Sequence, residues 1–220
     1  MVEVKNNTPS LNDERIKSAT GKTWKQWFEV LDKFGGVEKG RRAMGDYLVG
    51  ECKVDPWWSA TMIVQYEAAH KIVEKDGRPK GYMICVSKTV NAPVEKIFAA
   101  FSDAKEMDKW YSSKTKLDFK ENGRYANADG DAGEFKKIRP NKAIRFTWEN
   151  KRYTAGTFID LTFQSKGDKK CAVMIAHDRI QTRQEADDLR AGWGWALDLL
   201  KSYLETGKQI SYADWETAQK

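Results

Sequence analysis

The residues with the strongest intrinsic chemistry in this chain are two histidines and three cysteines. Their spacing limits what they can do. His70, His177, Cys52, Cys85 and Cys171 are scattered, with no CxxC and no close histidine pair. No metal site is expected and no cofactor is assigned. Each cysteine is expected to be a small, buried or half-buried side chain of a reduced protein. His177 ends the stretch "CAVMIAH" in phase with Val173 and Ile175, so it should face inward if that stretch is a strand. Three roles are open to it. It can bond a backbone carbonyl, orient a ligand in an apolar cavity, or act as an acid or base with Asp160 or Tyr125 as helper. No spacing singles out a serine or an aspartate for a catalytic triad, and no catalytic residue is assigned.

Two other stretches imitate known motifs. "IKSATGKT" ends like a phosphate-binding loop but has Ile16 where that loop needs glycine, and no strand precedes it. It reads as a turn between helices. "ADGDAGE" places carboxylates at Asp129, Asp131 and Glu134. Strand-like segments flank it, so a hairpin turn is expected rather than a calcium loop.

Aromatic residues carry the stronger signal. Nine tryptophans in 220 residues call for cores or a pocket to cover them. In "AIRFTWE", Ile144, Phe146 and Trp148 share one face; in "TFIDLTF", Ile159, Leu161 and Phe163 do. In "GWGWALDLLKSYLETGK", Trp193 shares a helical stripe with Leu189, Ala196, Leu197, Leu200 and Leu204, while Trp195 lies off it beside Leu199. A bulky ring flanked by Gly192 and Gly194 points to the mouth or floor of a cavity. With Trp110 and Tyr111 after a short helix, the expected cavity lining is Trp110, Tyr111, Ile144, Phe146, Trp148, Ile159, Leu161, Ile175, His177, Trp193 and Leu197.

The elements that must position these residues divide into two segments. The first is helical. Ser10 is placed to cap "LNDERIKSA", and Thr23 with Gln26 forms a capping box for Trp24, Trp27, Phe28 and Leu31. Gly35-Gly36 stops that helix, and a third follows through Met44 and Leu48. Asp55-Pro56 opens a fourth, with Trp58, Met62, Tyr66, Ala69 and Val73 on one stripe. "EKDGRPKG" (residues 74–81) reads as a linker. From Tyr82 the period becomes two: a strand, helices from "NAPVEKIFAAF" and "SDAKEMDKWY", then strands at about 115–119, 123–128, 133–138, 142–149, 154–164 and 169–178. A long helix, boxed by Thr182 and Glu185 and stopped by Gly207, closes the domain.

Lysine and arginine number 38 against 32 acidic residues, but no basic run exceeds two, so a nucleic-acid partner is not expected. Residues 1–79 carry 13 basic and 12 acidic side chains and residues 80–220 carry 25 and 20, so the excess lies in the second segment. No apolar run approaches a membrane span and the N-terminus lacks a signal core, so a cytoplasmic protein with no membrane partner is expected.

The order strand, two helices, antiparallel strands and long helix is similar to the helix-grip fold of the START-like (SRPBCC) superfamily. The motifs resemble domains related to the activator of heat-shock protein 90 ATPase. "VNAPVEKIFAAFSDAKEMDKWY", "GRYANADGDAGEFKKIRPNKAIRFTW", "VMIAHDRI" and "GWGWALDLLKSYLE" carry the resemblance over about residues 82–206. It implies an α+β domain whose seven-stranded antiparallel sheet grips the C-terminal helix around an apolar cavity. "SATGKTWKQWFEVLDKFG" and "WWSATMIVQYEAAH" resemble a small helical domain of unknown function. The expected domains are an all-helical one over 1–78 and the helix-grip one over 79–220. A binding module for a small hydrophobic molecule is the preferred function, with the helical domain as lid or appendage. The alternatives are a protein-interaction or co-chaperone module, with tail residues Tyr212 and Trp215 free to dock on the helical domain or on a partner, and an enzyme on an apolar substrate using His177.

Overall fold

The computed structural model describes residues 11–218. They fall into two compact units, one up to Tyr82 and the other from Met83.

Among the described residues the first unit holds four helices, α1 (Asp13–Thr20), α2 (Trp24–Phe34), α3 (Gly36–Gly50) and α4 (Pro56–Ala69). Ser10 lies outside the described residues; the α1 cap is Asn12, whose side chain accepts from the Arg15 amide at 3.0 Å. The Thr23–Gln26 capping box forms, and Gly35 ends α2 in the left-handed region with φ 112°. Ile16, Trp27, Leu31, Met44, Leu48, Met62 and Tyr66 make one core. The fourth stripe is shorter and broader than its periodicity predicts. Helix α4 stops at Ala69, Val73 is exposed, and Ile63, Val64 and Glu67 are buried beside Met62 and Tyr66. A helix sunk on more than one face loses the one-sided pattern that sequence reading relies on. Two polar groups go inside with it: Glu67 pairs with Arg41, and the Tyr66 hydroxyl donates to Asp32. Burial, together with the Asp32 carboxylate, pushes the Tyr66 phenol up to about 12.

Among the described residues the second unit is built on seven strands, the first of which opens on the last residue of the first unit: β1 (Tyr82–Val90), β2 (Lys116–Leu117), β3 (Arg124–Ala126), β4 (Ala132–Arg139), β5 (Ala143–Trp148), β6 (Thr157–Ser165) and β7 (Cys171–Ile180). Their order is β1-β7-β6-β5-β4-β3-β2. The chain therefore leaves β1 through α5 (Val94–Ser102) and α6 (Ala104–Trp110), crosses to the far edge, and returns by consecutive antiparallel hairpins. A register shift in β4 between Phe135 and Lys137 bends the sheet. Strand alternation places Ile159, Leu161, Val173, Ile175 and His177 on the dry face. Asp160, paired with Arg145, lies on the wet one. Cys171 is buried and Cys52 half-buried, but Cys85 is exposed, because it falls on the outward phase of β1.

Helix α7 (Arg183–Thr206) carries the Thr182–Glu185 capping box and ends at Gly207. All six stripe residues are buried, with Ala186 and Leu199 beside them. A short α8 (Tyr212–Ala218) follows. Its aromatic residues both touch α7, Trp215 through a hydrogen bond and Tyr212 through a ring edge, although Tyr212 stays exposed. The Trp215 indole N–H donates to Asp198 at 2.9 Å, and the Tyr212 ring meets Trp195 edge-on at 5.4 Å. This also covers the off-stripe Trp195.

Two glycines separate a steric demand from a vacancy. A Cβ on Gly133 would overlap the Thr147 carbonyl oxygen of the neighbouring strand, whereas one on Gly192 meets nothing within 4 Å. Gly133→Ala is expected to lower the unfolding free energy by about 3 kcal/mol or more. Gly192→Ala should raise it by about 1 kcal/mol, through helix propensity. Guanidinium titrations of both variants check the two signs.

Candidate functional site

The site grows from one hydrogen bond between α7 and β7. The Trp193 indole N–H donates to Nδ1 of His177 at 3.0 Å, and His177 is wholly buried. An indole N–H can only donate, so Nδ1 must present its lone pair and the proton of the neutral ring sits on Nε2. The backbone-carbonyl bond open to His177 from sequence is replaced by one in which the ring accepts. Burial lowers the imidazole to about 4, against a small opposing pull from the Glu185 charge. His177 is thus a neutral group with one N–H to offer, and that Nε2 has no partner among the described residues. Neither proposed helper serves it: Asp160 is on the opposite face of the sheet, and the Tyr125 hydroxyl donates to the Thr147 carbonyl at 3.2 Å.

Around this bond the rings form a wall. Trp148 meets His177 edge-on at 5.2 Å and Trp193 at 6.3 Å. Tyr111 stacks parallel to Trp193 at 6.2 Å. Trp110, next to Tyr111, is fixed by its own indole N–H donating to the Ala100 carbonyl at 2.9 Å, which ties the end of α6 to α5. The Trp148 indole N–H is buried without a partner among the described residues.

On the inner side of the wall lies an apolar void of about 50 Å³. Trp110, Tyr111, Phe146, Trp148, Ile159, Leu161, Ile175, Trp193 and Leu197 line it, joined by Phe101, Met107, Tyr125 and Ala196. Ile144 instead faces a second void of about 40 Å³, and His177 acts through Trp193 rather than on either surface. A void of about 150 Å³ is needed to hold a benzene-sized ring, so these spaces take a methyl group or a water, not a whole ligand. The room is on the outer side. A cleft of about 370 Å³ shares Tyr111, Trp148, Trp193 and Ala196 with the inner void, and adds Asp129, Asp131, Arg152, Tyr153, Asp188, Gly192 and Trp195.

Asp131 organises that cleft. The "ADGDAGE" segment does make a hairpin turn, with the Asn127 side chain accepting from the Asp129 and Asp131 amides at 3.1 and 3.0 Å. Asp131 then turns inward, only 7% exposed. It accepts from the Tyr111 hydroxyl at 3.0 Å, from Asn127 at 3.3 Å and from Asn150 at 2.8 Å. Burial and the Asp131 charge together drive the Tyr111 phenol far above its ordinary range, so it stays a donor at all working pH values. Sequence reasoning missed Asp131, Asn150 and Tyr153 because loop residues carry no periodicity; the three carboxylates of the turn were visible, but not which one faces in.

Residues 91–205 match the family described as Activator of Hsp90 ATPase homolog 1-like protein. The chain belongs to this family. Solved structures agree on its fold. CalU16 from Micromonospora echinospora superposes with a TM-score of 0.54 at 20% identity, over 62% of this chain and 81% of that one. DynU16, from the dynemicin biosynthetic locus, gives 0.52 at 23% over 59% of this chain and 49% of its own. The Aha1 dimer protein of Colwellia psychrerythraea gives 0.51 at 21% over 57% of this chain and 98% of its own. At these identities the similarity to the three structures is one of fold. No curated protein matches the chain. Among the described residues no helix is long and apolar enough to cross a membrane.

The buried imidazole links stability to pH. Its folded value of about 4 lies below the ordinary 6.5, so between these values the unfolded chain binds a proton that the folded one refuses. Stability contributed by His177 is complete above pH 6.5 and is lost as pH falls toward 4, by about 3 kcal/mol in all. In His177→Gln, whose amide oxygen still accepts from Trp193, this component should vanish. Unfolding free energies of both proteins at pH 7 and 4.5 measure the difference.

Proposed function

We propose that the second unit is a binding module for a small apolar or aromatic molecule, seated in the cleft at the mouth of the wedge between sheet and α7. The observation that carries this is the wall shared by two spaces: Tyr111, Trp148 and Trp193 face both the inner void and the outer cleft. Rings that would otherwise complete a solid core instead present a surface, beside polar groups already held by one another. Under the same proposal residues 1–78 form a separate helical domain and 79–220 the ligand-holding one.

The expected affinity is modest. Covering roughly 150 Å² of apolar ring surface contributes about 4 kcal/mol before association entropy is charged against it. Once that entropy is charged, a bare ring binds more weakly than the millimolar range to which about 4 kcal/mol corresponds, and polar contacts must supply the rest. The neutral probe 2-(1-naphthyl)ethanol, titrated by calorimetry, tests the seat. Trp148→Phe is expected to weaken it about fivefold. Gly192→Ala, which places a methyl at the cleft wall without destabilising the helix, should weaken it about tenfold. Unchanged binding in both variants would remove the cleft as the seat.

Family membership also supports a second reading, a protein-interaction or co-chaperone module. Of the tail aromatics offered for it by the sequence, Trp215 is bonded to α7, while Tyr212 touches Trp195 and stays exposed. A purified Hsp90-type ATPase is expected to change its turnover on addition of this protein if that reading holds; equal rates with and without it would discard the reading.

A further inference from the structure

The chain has a net charge of +6, yet the charged side chains facing the cleft are three carboxylates, Asp129, Asp131 and Asp188, and one guanidinium, Arg152. The guanidinium belongs to the rim. Arg152 is exposed, lies 5.9 Å from the Tyr153 ring centroid and reaches the Asn150 side-chain oxygen at 3.4 Å. Asp131 is different in kind. It is more than nine-tenths buried and lines the cleft, and its three side-chain donors, Tyr111, Asn127 and Asn150, are all neutral. None of the basic side chains among the described residues pairs with it. Buried carboxylates are ordinarily matched by a cation, since neutral hydrogen bonds satisfy the oxygens but leave the charge uncompensated.

The walls around this charge are rings: Tyr111, Trp148, Tyr153, Trp193 and Trp195. Aromatic faces carry negative quadrupole density and attract cations, most strongly where water is partly excluded. A buried carboxylate with no ion-pair partner, lining a cleft walled by rings, has the chemistry of an alkylammonium seat. A purely structural staple would need neither the enclosure nor the vacancy beside it.

Building on the binding-module reading, we propose that the cleft selects aromatic molecules bearing a positively charged nitrogen, with the cation beside Asp131 and the ring on the Tyr111–Trp148–Trp193 wall. Asp188, half-buried on α7 and accepting from Gln184 at 2.8 Å, supplies a second, weaker attraction.

Three probes sharing one ring test this on the full chain: 2-(1-naphthyl)ethylammonium, 2-(1-naphthyl)ethanol and 1-naphthylacetate, titrated by calorimetry at low and at moderate salt. The ammonium is expected to bind at least tenfold tighter than the alcohol, the acetate weakest, and the gap should narrow with salt. Asp131→Asn keeps an acceptor for Tyr111 but removes the charge, and should bring the ammonium within about twofold of the alcohol. Asp188→Asn, which leaves the Asp131 cluster untouched, should cost the ammonium two- to threefold and the alcohol nothing. If ammonium and alcohol bind alike to the native chain, the cation inference is overturned while the cleft remains a binding site. A preference that survives in both variants overturns the assignment to these carboxylates. Should none of the three bind, the module reading fails as well.

Discussion

The contact on which the second unit depends is the Trp193–His177 hydrogen bond. It joins the long helix to the sheet inside an apolar layer, where an unmade bond would leave two polar groups stranded. Because the indole can only donate, it fixes the imidazole tautomer and with it the ring's orientation. That orientation in turn sets Trp148, edge-on to both rings, and Trp193, parallel to Tyr111. One bond therefore aligns a wall drawn from β5, β7, α7 and the end of α6. A wall held this way can stand beside a vacancy without collapsing into it, which an ordinary aliphatic layer does less readily.

The wall also separates two kinds of space. Behind it, aliphatic and aromatic side chains pack together and leave only small voids. In front, loops that cannot pack as regular elements bring carboxylates, amides and a phenol together. Asp131 ties three of these segments: the β3–β4 turn, the β5–β6 loop through Asn150, and Tyr111 after α6. The polar side of the cleft is therefore pre-organised by the same residues that stabilise its loops.

Much of the scaffold was legible because it follows a period. Leu189, Trp193 and Leu200 on α7, and Ile159, Leu161 and Ile175 on the strands, are inward because helical and alternating patterns put them there. Capping pairs such as Thr182–Glu185 and Thr23–Gln26 are local, so their geometry is written in neighbouring residues. Where burial was many-sided the signal failed, as on α4. It failed also for Trp215, whose helix is too short to show which face is covered, and for Cys85, where an outward strand position overrode the usual burial of cysteine.

By itself the sequence determined the element order, the family resemblance and the aromatic wealth of one end of α7, because each is encoded in periodicity, caps or contiguous motifs. Only the tertiary structure decided that His177 accepts rather than donates, that the inner void is too small for a ring, and that Asp131 rather than Asp129 or Glu134 faces the cleft. Those outcomes depend on side chains brought together from distant segments, and no local pattern records which of several like residues a folded loop turns inward.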